Sequence, residues 1–207
     1  MLKIWGRKNS SNVQKVMWTM GELGLAHEHV EVGGAFGGNR EPSYLAMNPN
    51  GLVPTIQDGD LILWESNAIV RYLSSKYGAG TLAPSDMAMR ARADQWMDWQ
   101  LSTVNALMVT AYWGLIRTPP EKRDHAAIAA AQAKFTEALR IVDAQLGKTR
   151  FLAGDAFSMG DIPLALMAHR YLFLFPDHPA LPNVERWYAS LSTRKAFQDH
   201  VAAVPMT

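Results

Sequence analysis

The sequence predicts an α/β amino-terminal half followed by an all-helical carboxy-terminal half. Three observations carry that prediction. Two short, strand-like runs with a helix-spaced stretch between them occupy the first 32 residues. A hairpin followed directly by an amphipathic segment spans residues 48–73. After a stretch rich in Gly, Ala, Ser and Pro at 77–86, only helical periodicity remains.

Residues 2–5, Leu-Lys-Ile-Trp, are short and mostly apolar and precede Gly6, so they read as a strand. Asn9-Ser10-Ser11-Asn12 then offers capping residues ahead of Val13, Val16, Met17, Met20 and Leu23, which are spaced as on one helix face. Gly21 and Gly24 suit the end of that helix. Residues 27–32 predict a second strand, 33–38 a glycine-rich loop and 42–47 a short helix. The loop lacks both the Gly-Lys-Ser/Thr ending of a nucleotide loop and the spacing of a dinucleotide fingerprint, so it carries no phosphate-binding role.

The runs 53–56 and 61–64 flank Asp58-Gly59, a pair suited to a tight turn. Glu65-Ser66-Asn67 follows, and then Ile69, Val70, Tyr72 and Leu73 mark a helix face. Ser66 therefore reads as a helix N-terminus, where free backbone N–H groups and the helix dipole favour a carboxylate. The order is β-α-β-(α)-β-β-α, a parallel βαβ unit joined to an antiparallel hairpin. The predicted division is a first domain at 1–77, a linker at 78–87 and a helical domain at 88–207.

In the second half, residues 89–116 form one long segment whose apolar residues are in mixed spacing, ended by Thr118-Pro119-Pro120. Ile128, Ala131, Phe135, Ala138, Leu139, Val142 and Leu146 give clean helical spacings before Gly147. Ser158 and Asp161 stand at capping-box distance, with Phe157 and Ile162 placed as a hydrophobic staple. That assigns Asp161 a structural role, and His169 reads as a packed core histidine. The six histidines show no paired helical spacing for a metal.

Twenty basic and nineteen acidic residues leave a net charge of +1 with both signs interspersed, which points to neither a nucleic-acid nor a membrane surface. Cysteine is absent, so disulfides, thiolate metal sites and a cysteine nucleophile are excluded. With no signal-like leader and no membrane-length apolar run, the expectation is a soluble cytoplasmic protein.

The composite of Asn48-Pro49-Asn50-Gly51-Leu52-Val53-Pro54, Glu65-Ser66-Asn67-Ala68-Ile69 and Arg71-Tyr72-Leu73 resembles the cytosolic glutathione transferases, in their bacterial serine-type (theta- or nu-like) branch. The resemblance implies a thioredoxin-like first domain, a cis Pro54, and glutathione as co-substrate with no metal. It implies that the Val53 backbone pairs with the cysteinyl part of glutathione, as in strand addition, and that Glu65 and Ser66 hold the γ-glutamyl end. Arg40, Asn39 or Asn50 would meet the glycine carboxylate. Many relatives carry lysine before the Val-Pro pair where this chain has Gly51-Leu52, which removes one expected cation.

The nucleophile in such chemistry is the thiolate, which a hydroxyl or amide donor at a helix N-terminus stabilises. Ser10, Ser11 and Asn12 supply such donors; Ser10 aligns with the serine of serine-type members, and Asn12 with an asparagine that other members use. Met108, Tyr112, Trp113 and Arg117 are candidates for an electrophile pocket between the domains. A homodimer is expected, with Asp98 a candidate for reaching the partner's glutathione. The implied activity is attack of the thiolate on a small hydrophobic electrophile. The alternatives are glutathione-dependent disulfide reduction and a non-catalytic glutathione-binding or regulatory protein.

Overall fold

In the computed structural model, which describes all 207 residues, the first elements are β1 (Leu2–Trp5), α1 (Ser11–Glu22) and β2 (His27–Val30). A short α2 (Pro42–Leu45) leads to β3 (Thr55–Asp58), β4 (Leu61–Trp64) and α3 (Ser66–Tyr77). The four strands make one sheet in the order β2-β1-β3-β4. β1 runs parallel to β2 and antiparallel to β3, and β4 closes the hairpin against β3. Ile4, Ile56, Val13, Val16, Ile69, Val70 and Leu73 are fully buried, which is the core that the alternating strands and the helix faces of α1 and α3 predict.

The hairpin register pairs Asp58 with Leu61, so the loop is Gly59-Asp60, one residue beyond the predicted turn pair. Gly59, at φ 62, takes the first loop position that a type II′ turn reserves for glycine. Asp58, freed from the turn, accepts hydrogen bonds from the Tyr72 hydroxyl (2.8 Å), Lys76 Nζ (2.9 Å) and the Tyr77 hydroxyl (2.7 Å), and so clamps the hairpin to α3. Burial pushes this carboxyl up, but the bonds from Lys76, Tyr77 and Tyr72 outweigh it and hold the group below its ordinary range.

The chain divides into Met1–Ala83 with Lys195–Pro205, and Pro84–Arg194 with Met206–Thr207. Residues 195–205, which the sequence reading assigns to the helical half, therefore belong with the first unit. The reason is packing against α1. Gly21 does not end that helix; a Cβ on it would stand 2.9 Å from Ala196 Cβ and from the His200 ring, so only glycine admits the returning segment. Phe197 sits edge-on to Trp18 at 5.0 Å. The helix itself ends at Gly24, whose φ of 63 lets the Leu25 N–H reach back to the Met20 carbonyl at 3.0 Å.

In the helical unit, α4 (Met87–Trp99), a π-helical turn Gln100–Val104, α5 (Asn105–Tyr112) and a second π turn Trp113–Arg117 follow without a break. Each π turn shifts the helical register, which is why the apolar residues of 89–116 show no single period. Helices α6 (His125–Leu146), α7 (Asp161–Leu174) and α8 (Pro182–Ser192) complete the unit around Phe135, Leu139, Ile162, Tyr171 and Trp187.

The box at the start of α7 is half as predicted. Asp161 accepts from the Ser158 N–H at 2.9 Å, whereas the Ser158 hydroxyl serves the Gly160 N–H at 3.3 Å. Asp161 also holds the Leu152 N–H and the Trp187 indole, both at 3.0 Å. His169, expected as a core histidine, is half-buried on α7 and bonded to the Tyr188 hydroxyl at 2.7 Å. No helix is long and apolar enough to cross a membrane.

Candidate active site

The site is built on the loop between α2 and β3. Tyr44 and Asn48 are both buried, and both grip the Leu52 carbonyl, Tyr44 through its hydroxyl at 2.6 Å and Asn48 through Nδ2 at 2.9 Å. The Thr55 hydroxyl bonds the same two side chains at 2.9 and 3.1 Å, and Asn48 Oδ1 accepts the Asn50 N–H at 3.1 Å. Gly51 turns the chain at φ 60, in space where a Cβ would lie 2.9 Å from the Asn39 carbonyl. Residues 50–54 are thus held from behind, and their forward side is free to face a ligand. Tyr44 and Asn48 are positioning residues: sequence reasoning passes over Tyr44 and gives Asn48, though part of the motif, no role of its own. Their signal was burial of polar groups, which one sequence does not display.

The Val53–Pro54 peptide is cis. β3 is an interior strand, flanked by β1 and β4, so the backbone open to strand addition is not the side of β3. It is Val53, which lies beyond the end of that ladder.

Two adjoining cavities, of about 180 and about 40 Å³, share Asn12, Leu52 and Val53. Ser10, Arg7 and Asn39 line the larger one, and Asn50, Pro54, Glu65 and Ser66 the smaller. The groove therefore gathers Ser10, Asn12, Val53, Pro54, Ser66, Glu65, Asn39 and Asn50 from four separate stretches of chain. Ser11, the first residue of α1, lines neither cavity. Arg40 is exposed and donates to the Asn50 carbonyl at 3.4 Å, outside both linings. The cation in the wall is Arg7, from the turn between β1 and α1. Leu52, directly before the Val53–Pro54 pair, is 60% exposed. A larger cavity of about 310 Å³ in the same unit is lined by Lys8, His27, His29 and His200 and includes none of the predicted site residues.

Two local features equip the groove. Ser10 is the N-cap of α1 in extended geometry, yet its side chain makes no capping bond, so the helix does not tie up its hydroxyl. Glu65 precedes α3 at φ 72, the one non-glycine residue with positive φ. That conformation is costly and persists where the surrounding structure over-determines it; here Glu65 and Ser66, the first residue of α3, both line the smaller cavity. The Ser66 hydroxyl donates to Asn12 Oδ1 at 3.2 Å, linking the two helix N-termini directly.

Among the electrophile candidates, Met108 and Tyr112 are buried while Trp113 and Arg117 are exposed. Tyr112 donates its hydroxyl to the Thr207 carbonyl at 2.9 Å, and the Arg117 guanidinium lies 5.1 Å over the Trp113 ring. Asp98 is exposed on α4. No three His, Cys, Asp or Glu side chains come close enough together to hold a metal ion.

A chain with this sheet, this groove and a helical second unit is a thioredoxin-like glutathione-handling protein in architecture, and comparison with known proteins agrees. Residues 6–81 match the family described as glutathione S-transferase, N-terminal domain, and residues 126–190 match glutathione S-transferase, C-terminal domain. The chain is 43% identical over 209 residues to the glutathione S-transferase GstB of Escherichia coli K12, covering 100% of both. It is 32% identical to glutathione S-transferase 3 of Zea mays, over 99% of this chain and 95% of that one. Among solved structures, the theta class glutathione S-transferase of Xanthomonas axonopodis pv. citri with glutathione bound superposes with a TM-score of 0.95 at 48% identity, covering 100% of this chain and 99% of that one. The chain belongs to the glutathione S-transferase family, and its activity is glutathione transfer.

Proposed function

We propose that glutathione lies along the groove with its cysteinyl backbone on Val53 beside Pro54, its γ-glutamyl carboxylate at Ser66 and Glu65, and its sulfur beside Ser10 and Asn12. The glycine end meets Asn39, Asn50 or Arg40. The observation that carries this reading is the continuity of the two cavities through Asn12 and Val53, which strings a thiol-stabilising helix N-terminus and a carboxylate-binding one along a single track. Electrostatics supports it: two helix N-termini and Arg7 surround a ligand with two carboxylates and a developing thiolate. Catalysis then consists of holding the sulfur as thiolate and positioning it for attack on a hydrophobic electrophile. The electrophile is taken by the helical half, with exposed Trp113 and Arg117 as its candidate contacts. The working unit is a homodimer in the cytoplasm, which a sedimentation measurement checks for the dimer.

The thiolate absorbance of bound glutathione, followed against pH, tests the sulfur's placement. Ser10→Ala is expected to raise the bound thiol's pKa by about one unit and to lower turnover, with glutathione affinity little changed. An unchanged pH–rate profile in that variant overturns Ser10 as the main partner, and Asn12→Ala should then show the shift instead.

A further inference from the structure

The lysine of α1 nearest the groove faces inward. Lys15 has no exposed surface, although lysine is among the residues least often found fully buried. Its Nζ lies 3.4 Å from Ser66 Oγ and 3.2 Å from Asn67 Oδ1, the first two residues of α3. An ammonium carries three donors and no acceptor, so both oxygens must accept from it. The single Ser66 hydrogen is then directed away from Lys15, and its partner is Asn12 Oδ1 at 3.2 Å. Asn12, by accepting on its oxygen, is left to donate through its amide nitrogen, and Asn12 lines both cavities.

We propose that Lys15 is a positioning residue of the glutathione site: its buried ammonium sets the donor direction Lys15 to Ser66 to Asn12 and places a positive charge behind the N-terminus of α3, where the γ-glutamyl carboxylate docks. This rests on the reading that the carboxylate docks at Ser66. With its hydroxyl hydrogen committed to Asn12 Oδ1, Ser66 meets an anion in the smaller cavity through its backbone N–H, at the open N-terminus of α3. The arrangement also orients Asn12 as a donor toward the sulfur. A lysine serving only to tie α1 to α3 would stabilise the unit equally for every ligand. A charge behind the carboxylate instead discriminates between ligands with and without that carboxylate.

The test is titration calorimetry of the whole protein with glutathione and with the analogue whose γ-glutamyl α-carboxylate is replaced by hydrogen. Lys15→Met should weaken glutathione binding about tenfold and the analogue's by less than about twofold, with the unfolding temperature measured alongside. Should Lys15→Met fail to fold, Lys15→Gln, which keeps a polar tip without the charge, is expected to show the same loss of preference to a smaller degree. Equal weakening of both ligands, or no weakening of glutathione, in a folded Lys15 variant overturns the proposal. Ser66→Pro, which removes the backbone N–H at a first helical position that tolerates proline, separates the two layers. If wild type shows no preference for glutathione, or Ser66→Pro leaves its preference intact, the carboxylate does not dock at Ser66 and the underlying reading fails. If Ser66→Pro abolishes the preference while Lys15→Met retains it, Lys15 alone fails.

Discussion

Each unit of the molecule buries one charge completely beside a helix N-terminus, Lys15 in the first and Asp161 in the second. They differ in what their partners do next. Asp161 takes N–H groups from Leu152, Ser158 and the Trp187 indole and the hydrogen of the Ser158 hydroxyl, and that hydroxyl's remaining capacity is met by the Gly160 N–H. Its charge is closed within the fold. Lys15 donates to a hydroxyl and an amide, groups with hydrogen-bonding capacity left over, and one of those groups faces the groove. Burial alone therefore does not mark a functional charge. The distinguishing feature is whether the neighbours' remaining donors and acceptors point into protein or toward a place a ligand can reach.

The largest expected effect tests the closed case. Asp161→Ala leaves three buried N–H donors without an acceptor, and each such loss costs ~1–3 kcal/mol. Urea unfolding should show a loss of about 3 kcal/mol or more, while glutathione affinity of the folded fraction stays at the wild-type value. A loss under about 1 kcal/mol, or weakened glutathione binding in folded protein, would erase the contrast with Lys15.

A second test uses protons. Burial pushes the Asp161 carboxyl up to about 6, against the pull of the Leu152 and Ser158 N–H groups and the Trp187 indole. Burial pushes the His169 imidazole down to about 4, with the Arg170 charge adding. For Asp161 the folded chain holds a proton that the unfolded chain has released, so its contribution to stability falls as pH rises from the ordinary carboxyl value to about 6. For His169 the unfolded chain holds the extra proton, so its contribution rises with pH between about 4 and the ordinary imidazole value. The two slopes oppose each other, each at most ~1.4 kcal/mol per pH unit. Relative to wild type, His169→Gln should therefore lose stability as pH rises from about 4 to about 6. A parallel pair of stability curves would show that His169 is not the opposing group.

Much of this architecture is legible in the residues. The short apolar runs at 2–5 and 53–56, the three-and-four spacing after Asn12, and Ser66 within the polar triplet Glu65-Ser66-Asn67 mark β1, β3, α1 and α3, because each is a local pattern, although β3 itself runs from Thr55 to Asp58, two residues later than its run. The hairpin register is not local: Asp58-Gly59 and Gly59-Asp60 are both acceptable turn pairs, and the clamp on Asp58 by Tyr72, Lys76 and Tyr77 settles which is used. Lys15 is invisible for the same reason. In sequence it is a cation inside a helical pattern, and its partners lie 51 and 52 residues away. Residues 195–205 look like the tail of the helical half, and only the bare face of Gly21 reveals where they pack. Arg7 follows a strand and a glycine with nothing to distinguish it from a solvated charge, until the fold puts it in the groove wall.

The smallest expected effect concerns the front of the site rather than the buried charge behind it. Glu65 is exposed and holds φ 72, a conformation that costs a non-glycine residue ~1–3 kcal/mol. Glycine adopts it freely but regains ~0.4–1 kcal/mol of freedom in the unfolded chain. Glu65→Gly should therefore stabilise the protein by up to about 2 kcal/mol, read as a higher urea midpoint, while glutathione binding weakens through loss of the side chain. That pairing of opposite signs is the signature of strain kept for a ligand, and Asp161→Ala is expected to show the reverse pairing, stability lost and affinity kept. A Glu65→Gly protein that loses stability would instead place Glu65 with Asp161, as a residue the fold itself needs.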